Sequence, residues 1–152
     1  MDIDLVARAG ENRREVQGAG EAMTTNTKLE TERLLTLAAF LDSLKPKQFN
    51  IGTWREDEDC GTVACAVGWA TTIPEFQAAG LSWDERYGTP RYRRSMDFRS
   101  SELFFGLGHS DAVALFTNTW YRSRNPRPWY RSRNPRPQTV ARRIRQFVAQ
   151  GR

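Results

Sequence analysis

Ligand and nucleophile side chains are scarce: of 152 residues one is histidine, His109, and two are cysteine, Cys60 and Cys65. A tetrahedral zinc site would need both cysteines, His109 and a carboxylate. None of the short paired spacings of such sites is present, so no metal and no cofactor is expected. No stretch approaches the ~18 consecutive apolar residues of a membrane helix, which argues against a membrane partner. The opening MDIDLVARAG begins with acids and lacks an apolar central run, so it does not read as a secretory signal, and a cytoplasmic location is expected. No alternating apolar and polar stretch is long enough to argue for a sheet. Lysine is rare too, with Lys28, Lys45 and Lys47 against 20 arginines. Arginine binds phosphate bidentately and stacks on bases, although GC-rich coding DNA produces the same bias without any function.

The net charge of +5 conceals a partition. Residues 1–119 carry 13 basic and 18 acidic side chains, a net of −5, whereas residues 120–152 carry ten arginines and no acid. An acidic body therefore bears a basic C-terminal segment. Within that segment the nonapeptide Trp120-Tyr121-Arg122-Ser123-Arg124-Asn125-Pro126-Arg127-Pro128 recurs unchanged as residues 129–137. Nine residues are too few for a solenoid unit, and complete identity points to a recent duplication placed in an insertion-tolerant loop.

The remaining pattern is helical, in one domain. Residues 1–26 read as a flexible N-terminal arm. In the body, 27–119, Thr27-Lys28-Leu29-Glu30 has the form of a capping box, and Leu34, Leu37, Ala38, Leu41 and Leu44 recur at helical spacing, predicting a helix over 28–44 that Pro46 stops. Residues 55–59 read as a solvated acidic loop. A buried helix is expected over 62–71, a short one from Pro74 closed by Gly80, and a long loop over 81–94. Ser100 to Leu107 predicts the next helix, and Ser110 is expected to cap another. After the duplicated loop, 120–137, a helix over 138–152 buries Val140, Ile144, Phe147 and Val148 and turns Arg142, Arg143 and Arg145 outward. The expected fold is mainly α, a small single-domain bundle of about five short helices with long loops.

Two chemistries compete for these residues. Each copy of the nonapeptide sets three arginines beside two aromatic rings, the composition of a phosphate-tracking, base-stacking surface. The candidate contacts are Trp120, Tyr121, Arg122, Arg124, Arg127, Trp129, Tyr130, Arg131, Arg133, Arg136, Arg142, Arg143 and Arg145, with nucleic acid or an acidic protein surface as partner. Against this stands catalysis by Cys65, near a helix start where its thiol pKa would fall, with His109 as base and Glu102 or Asp111 to orient it. The default reading of the two cysteines is a pair of buried reduced thiols, with a disulfide as the alternative if Cys60 bends back.

The segments Phe49-Asn50-Ile51-Gly52-Thr53-Trp54 and Cys60-Gly61-Thr62-Val63-Ala64-Cys65-Ala66-Val67-Gly68-Trp69-Ala70 resemble a group of small bacterial and phage proteins that share a CGT-x-x-C-x-x-GWA core. Glu102 to Leu107 and Ala114-Leu115-Phe116 are similar to that group's downstream elements. The resemblance spans roughly residues 30–119 and the last helix. It implies a phage-borne accessory protein of the host cytoplasm that binds a host or nucleic-acid target, and the doubled loop departs from the group. The leading expectation is thus a non-enzymatic binding protein acting on nucleic acid, or on an acidic surface of a nucleic-acid-handling or host-defence complex. The alternatives are a hydrolase or transferase on Cys65 and His109, and an assembly subunit whose basic loop meets the acidic body of another copy, making a homo-oligomer.

Overall fold

The first helix, α1, covers residues 27–42 and presents Leu34, Leu37, Ala38 and Leu41 to the interior, each with no exposed surface. In the computed structural model the described residues are 27–58, 61–119, 121 and 134–151. Thr27 lies inside α1, and the Glu30 side chain reaches Gly106 across the core boundary instead of only closing a local box. A 3-10 turn at Pro46–Gln48 then leads into a connector whose Phe49 and Ile51 are buried.

Two small antiparallel sheets correct the expectation of a mainly α bundle. The first pairs β1 (Arg55–Glu58) with β2 (Gly61–Ala64), Arg55 facing Ala64 and Glu58 facing Gly61. Residues 55–58 of the stretch expected as a loop are therefore a strand, and the helix expected from residue 62 begins four residues later. Thr62 and Val63 are β-branched and pack well on a pleated surface, and Gly61 takes φ +123 to leave the hairpin turn. Cys65 stays extended, its N–H donating to the Thr53 carbonyl at 2.7 Å, and only then does α2 (Ala66–Ala70) start. The short helix α3 (Pro74–Ala78) follows, opened by its proline as expected.

The second sheet orders β3 (Leu81–Asp84), β4 (Thr89–Tyr92) and β5 (Ser95–Met96), in the region expected to be a loop. Leu81 faces Tyr92 and Trp83 faces Pro90 on the inner side, while Ser82 faces Arg91 on the outer. Arg93 begins the two-residue turn between β4 and β5 at φ +57, a conformation costing an arginine roughly 1 kcal/mol relative to glycine. Helix α4 (Phe98–Phe105) packs across β4 and ends on Gly106 at φ +64. Helix α5 (His109–Phe116) begins one residue before its expected cap, with Gly108 in the capping position, and α6 (Pro137–Ala149) closes the fold.

The core is one cluster. Val140, Ala141 and Ile144 of α6 join the α1 face in it, all three without exposed surface. A ring assembly occupies the other side: Phe104 meets Phe76 and Phe105 at 5.0 Å and Tyr92 at 5.1 Å between centroids. Phe105 in turn meets Phe116 at 5.4 Å. Edge-on pairs of this kind add stabilisation beyond their buried area.

Candidate functional site

Three residues of the CGT-x-x-C-x-x-GWA segment, Cys65, Gly68 and Trp69, are spent on the fold. The Cys65 sulfur accepts the Gly68 N–H at 3.5 Å, capping α2. Gly68 lets that helix lie directly on the Trp54 carbonyl, and Trp69 donates its indole N–H to the Gln48 carbonyl at 2.7 Å. Three neighbouring positions thus fasten α2 to the connector between α1 and β1.

Cys65 is a free thiol, 3% exposed, at the wall of an open cleft of about 310 Å³ shared with Trp54, Phe98 and Phe116. Burial pushes its pKa from 9.0 to about 11, and the Gly68 N–H, which would favour the thiolate, only partly offsets this. The helix-start argument for a reactive thiolate fails because α2 has five residues and desolvation outweighs its N–H groups. His109 does find its expected orienting acid: Nδ1 lies 3.2 Å from Oε2 of Glu102, a carboxylate buried to 7% exposure that also holds Arg99 at 3.2 Å. The structure does not bring this pair to the thiol. The sulfur's neighbours are Gly68 and the Trp54 carbonyl, and the His109 ring rests 5.8 Å from Phe98.

This predicts slow chemistry at Cys65. In a Cys60→Ser chain, iodoacetamide alkylation at pH 7.5 should run about 100-fold slower than for a model thiol, rise only as pH nears 11, and become fast in denaturant. Because the folded pKa is the higher, the thiol's contribution to stability is complete below pH 9 and fades as pH climbs towards 11. Rapid single-site labelling of the folded chain at neutral pH, followed by mass spectrometry, would contradict the burial.

Of the basic segment, Tyr121, Arg136, Arg142, Arg143 and Arg145 are described. Trp120, Arg122, Arg124, Arg127, Trp129, Tyr130, Arg131 and Arg133 lie outside the described residues. Tyr121 is not a surface contact: it is 6% exposed and donates its hydroxyl to the Leu115 carbonyl at 3.1 Å. Burial raises its pKa, with the Arg143 charge opposing the shift. Arg142 and Arg136 are exposed, Arg143 is half-buried, and Arg145 pairs with Asp42 of α1. The outward basic face of α6 is therefore narrower than expected.

Sequence reasoning missed the clamp that holds the far end of the duplicated segment. Asn134 donates Nδ2–H to the Phe49 carbonyl at 2.7 Å and accepts the Ile51 N–H at 2.9 Å, copying a strand's two-point pairing. Gln138 adds a bond to the Leu44 carbonyl at 2.7 Å. No local signal marks Asn134, since its partners lie 83 and 85 positions away. Asn134→Ala should lower stability by about 2 kcal/mol in urea titration, by leaving the Phe49 and Ile51 groups without this partner. Gln is the informative second variant, because its longer amide cannot hold both bonds from the same backbone position. Comparison of the chain with protein-family models, with curated proteins and with solved structures finds no match in any of the three.

Proposed function

We propose that this chain is a non-enzymatic binding protein that contacts nucleic acid through its arginine-rich C-terminal segment. One observation carries the reading. Residues 122–133 hold five arginines and no acid, and the residues on either side of them, Tyr121 and Asn134, are bonded into a body of net charge −5. A cationic stretch held at both ends on a body of opposite sign suits a polyanionic partner, and exposed Arg136 and Arg142 adjoin it in sequence. The buried, protonated thiol of Cys65 favours this over cysteine chemistry. The resemblance to small phage and bacterial proteins fits an accessory role in the host cytoplasm, with an acidic surface of a nucleic-acid-handling or host-defence complex as the rival partner.

Fluorescence anisotropy with labelled 20-nucleotide single strands and duplexes, taken through a sodium chloride series, tests the reading. Affinity should fall steeply with salt, the logarithmic slope being about −0.7 to −0.9 per phosphate contact, and Arg136→Ala with Arg142→Ala should flatten it by about one to two. Absence of binding to any nucleic acid at low salt would overturn the proposal. Growth of the particle by light scattering as salt is lowered, without nucleic acid, would point instead to self-assembly of basic segment on acidic body.

A further inference from the structure

We infer that the sheet β3–β4–β5 is a second contact surface for nucleic acid, selective for single strands. The inference takes its partner class from the reading above but stands on different residues. Residues 81–96 hold Arg86, Arg91, Arg93 and Arg94, all exposed. Of these four only Arg91 meets a carboxylate of the described residues, Asp84 at 3.4 Å, and the guanidinium groups of Arg86, Arg93 and Arg94 have no described acid opposite them. The sheet's inner side is committed to the core through Leu81, Pro90 and Tyr92, which leaves Ser82 and Arg91 of the outer side and the two turns to solvent, Asp84 and Thr89 being half-buried.

The cations are spread along the length of the sheet, the Arg93 guanidinium lying 4.9 Å from the Tyr92 ring centroid. Arg86 occupies the turn before β4, Arg91 sits on the outer side of β4, and Arg93 and Arg94 form the turn after it. Four strand residues separate the turns by about 13 Å, so the charges follow an extended polyanion better than they surround one isolated phosphate. The first turn also carries Tyr87, 60% exposed, with the Arg86 guanidinium 5.4 Å from its ring centroid. An exposed ring backed by a cation is a platform for an unpaired base, which a duplex does not offer. Arg93 sharpens the point: its φ of +57 suits glycine or asparagine, so the turn keeps a long cationic side chain against its own backbone preference.

Amide shifts of the full chain, followed by NMR at low salt, provide the test, with ten-nucleotide oligo-dT, a duplex of equal charge and a glutamate peptide as probes. Oligo-dT should move the amides of residues 86–94, and the duplex should move them less. Tyr87→Ala should weaken oligo-dT binding about tenfold with little effect on the duplex. Arg93→Gly should weaken binding of both several-fold while the melting temperature stays level or rises, a pattern that a purely structural role for Arg93 would reverse. Shifts confined to the C-terminal segment would overturn this inference and leave the proposed function standing. Stronger shifts at 86–94 with the glutamate peptide than with oligo-dT would overturn the choice of partner. No shift with either nucleic acid would overturn both.

Discussion

Gly68→Ala is expected to destabilise this protein more than a methyl group placed on any other described glycine. A Cβ at position 68 would fall deep inside van der Waals contact of the Trp54 carbonyl oxygen, 2.8 Å from the Trp54 carbonyl carbon and 3.0 Å from the Ala64 Cβ. The obstacles are backbone and a short side chain, so no rotamer change relieves them. Relief requires α2 to move off the connector, which also lengthens the Trp69 bond to Gln48 and the cap on Cys65. The cost should be about 3 kcal/mol or more, and the midpoint of thermal unfolding by circular dichroism should fall by about 6–12 °C. Gly52→Ala is the matched control, since its new methyl would meet only the Asn50 side chain, at 3.5 Å. A Gly68→Ala chain as stable as that control would mean that α2 does not sit on Trp54 as described.

Phe104→Ala should cost about 3–5 kcal/mol, the range of large-to-small changes at fully buried aromatic sites. Phe104 has no exposed surface and is the one ring that joins α3, β4 and its own helix: Phe76, Tyr92 and Phe105 all meet it within 5.1 Å. Arg33 of α1 lies 4.1 Å above the same ring and donates to the Phe104 carbonyl at 2.8 Å. Truncation therefore leaves a void that three rigid rings cannot collapse into, and removes a cation–π partner as well. Urea titration should show the loss mainly in the midpoint. Leu103→Ala, one residue earlier and 37% exposed, should cost less than about 1 kcal/mol. Equal losses at the two positions would contradict the ring-centred core.

The helices were legible where a repeated apolar spacing met a stop signal. Leu34, Leu37, Ala38 and Leu41 form such a face, Pro74 and Pro137 mark true helix starts, and Gly106 ends α4. Both sheets escaped notice because their strands are two to four residues long, too short for alternation to register. Pro90 worked against the second: it lies in the central strand, where a proline withholds a ladder donor and argues for a loop. At the site, the partnership of Glu102 with His109 was within reach of sequence because seven positions and one turn separate them. The separation of that pair from Cys65, and the clamp of Asn134 on Phe49 and Ile51, depend on contacts across the whole fold. Small residues around Cys65 read as a buried helix, whereas Gly61 and Ala64 lie in a strand and Gly68 serves a single close approach.

The two anchors of the basic segment are themselves parts of the repeated unit. Tyr121 is the second residue of the first nonapeptide, while Asn134 and Pro137 are the sixth and ninth of the second. Every whole number of units therefore opens with the tyrosine that bonds Leu115 and closes with the asparagine and proline that seat α6. Each unit added or removed changes the charge by three and still supplies both mooring residues, because the repeat itself contains the tyrosine, the asparagine and the proline. A single-unit chain would have to join the moorings in four residue steps, about 14 Å at most. The present thirteen steps raise the closure entropy by only about 1 kcal/mol over that minimum. Copy number is thus a dial on electrostatic reach, at a net +2 with one unit against +5 with two.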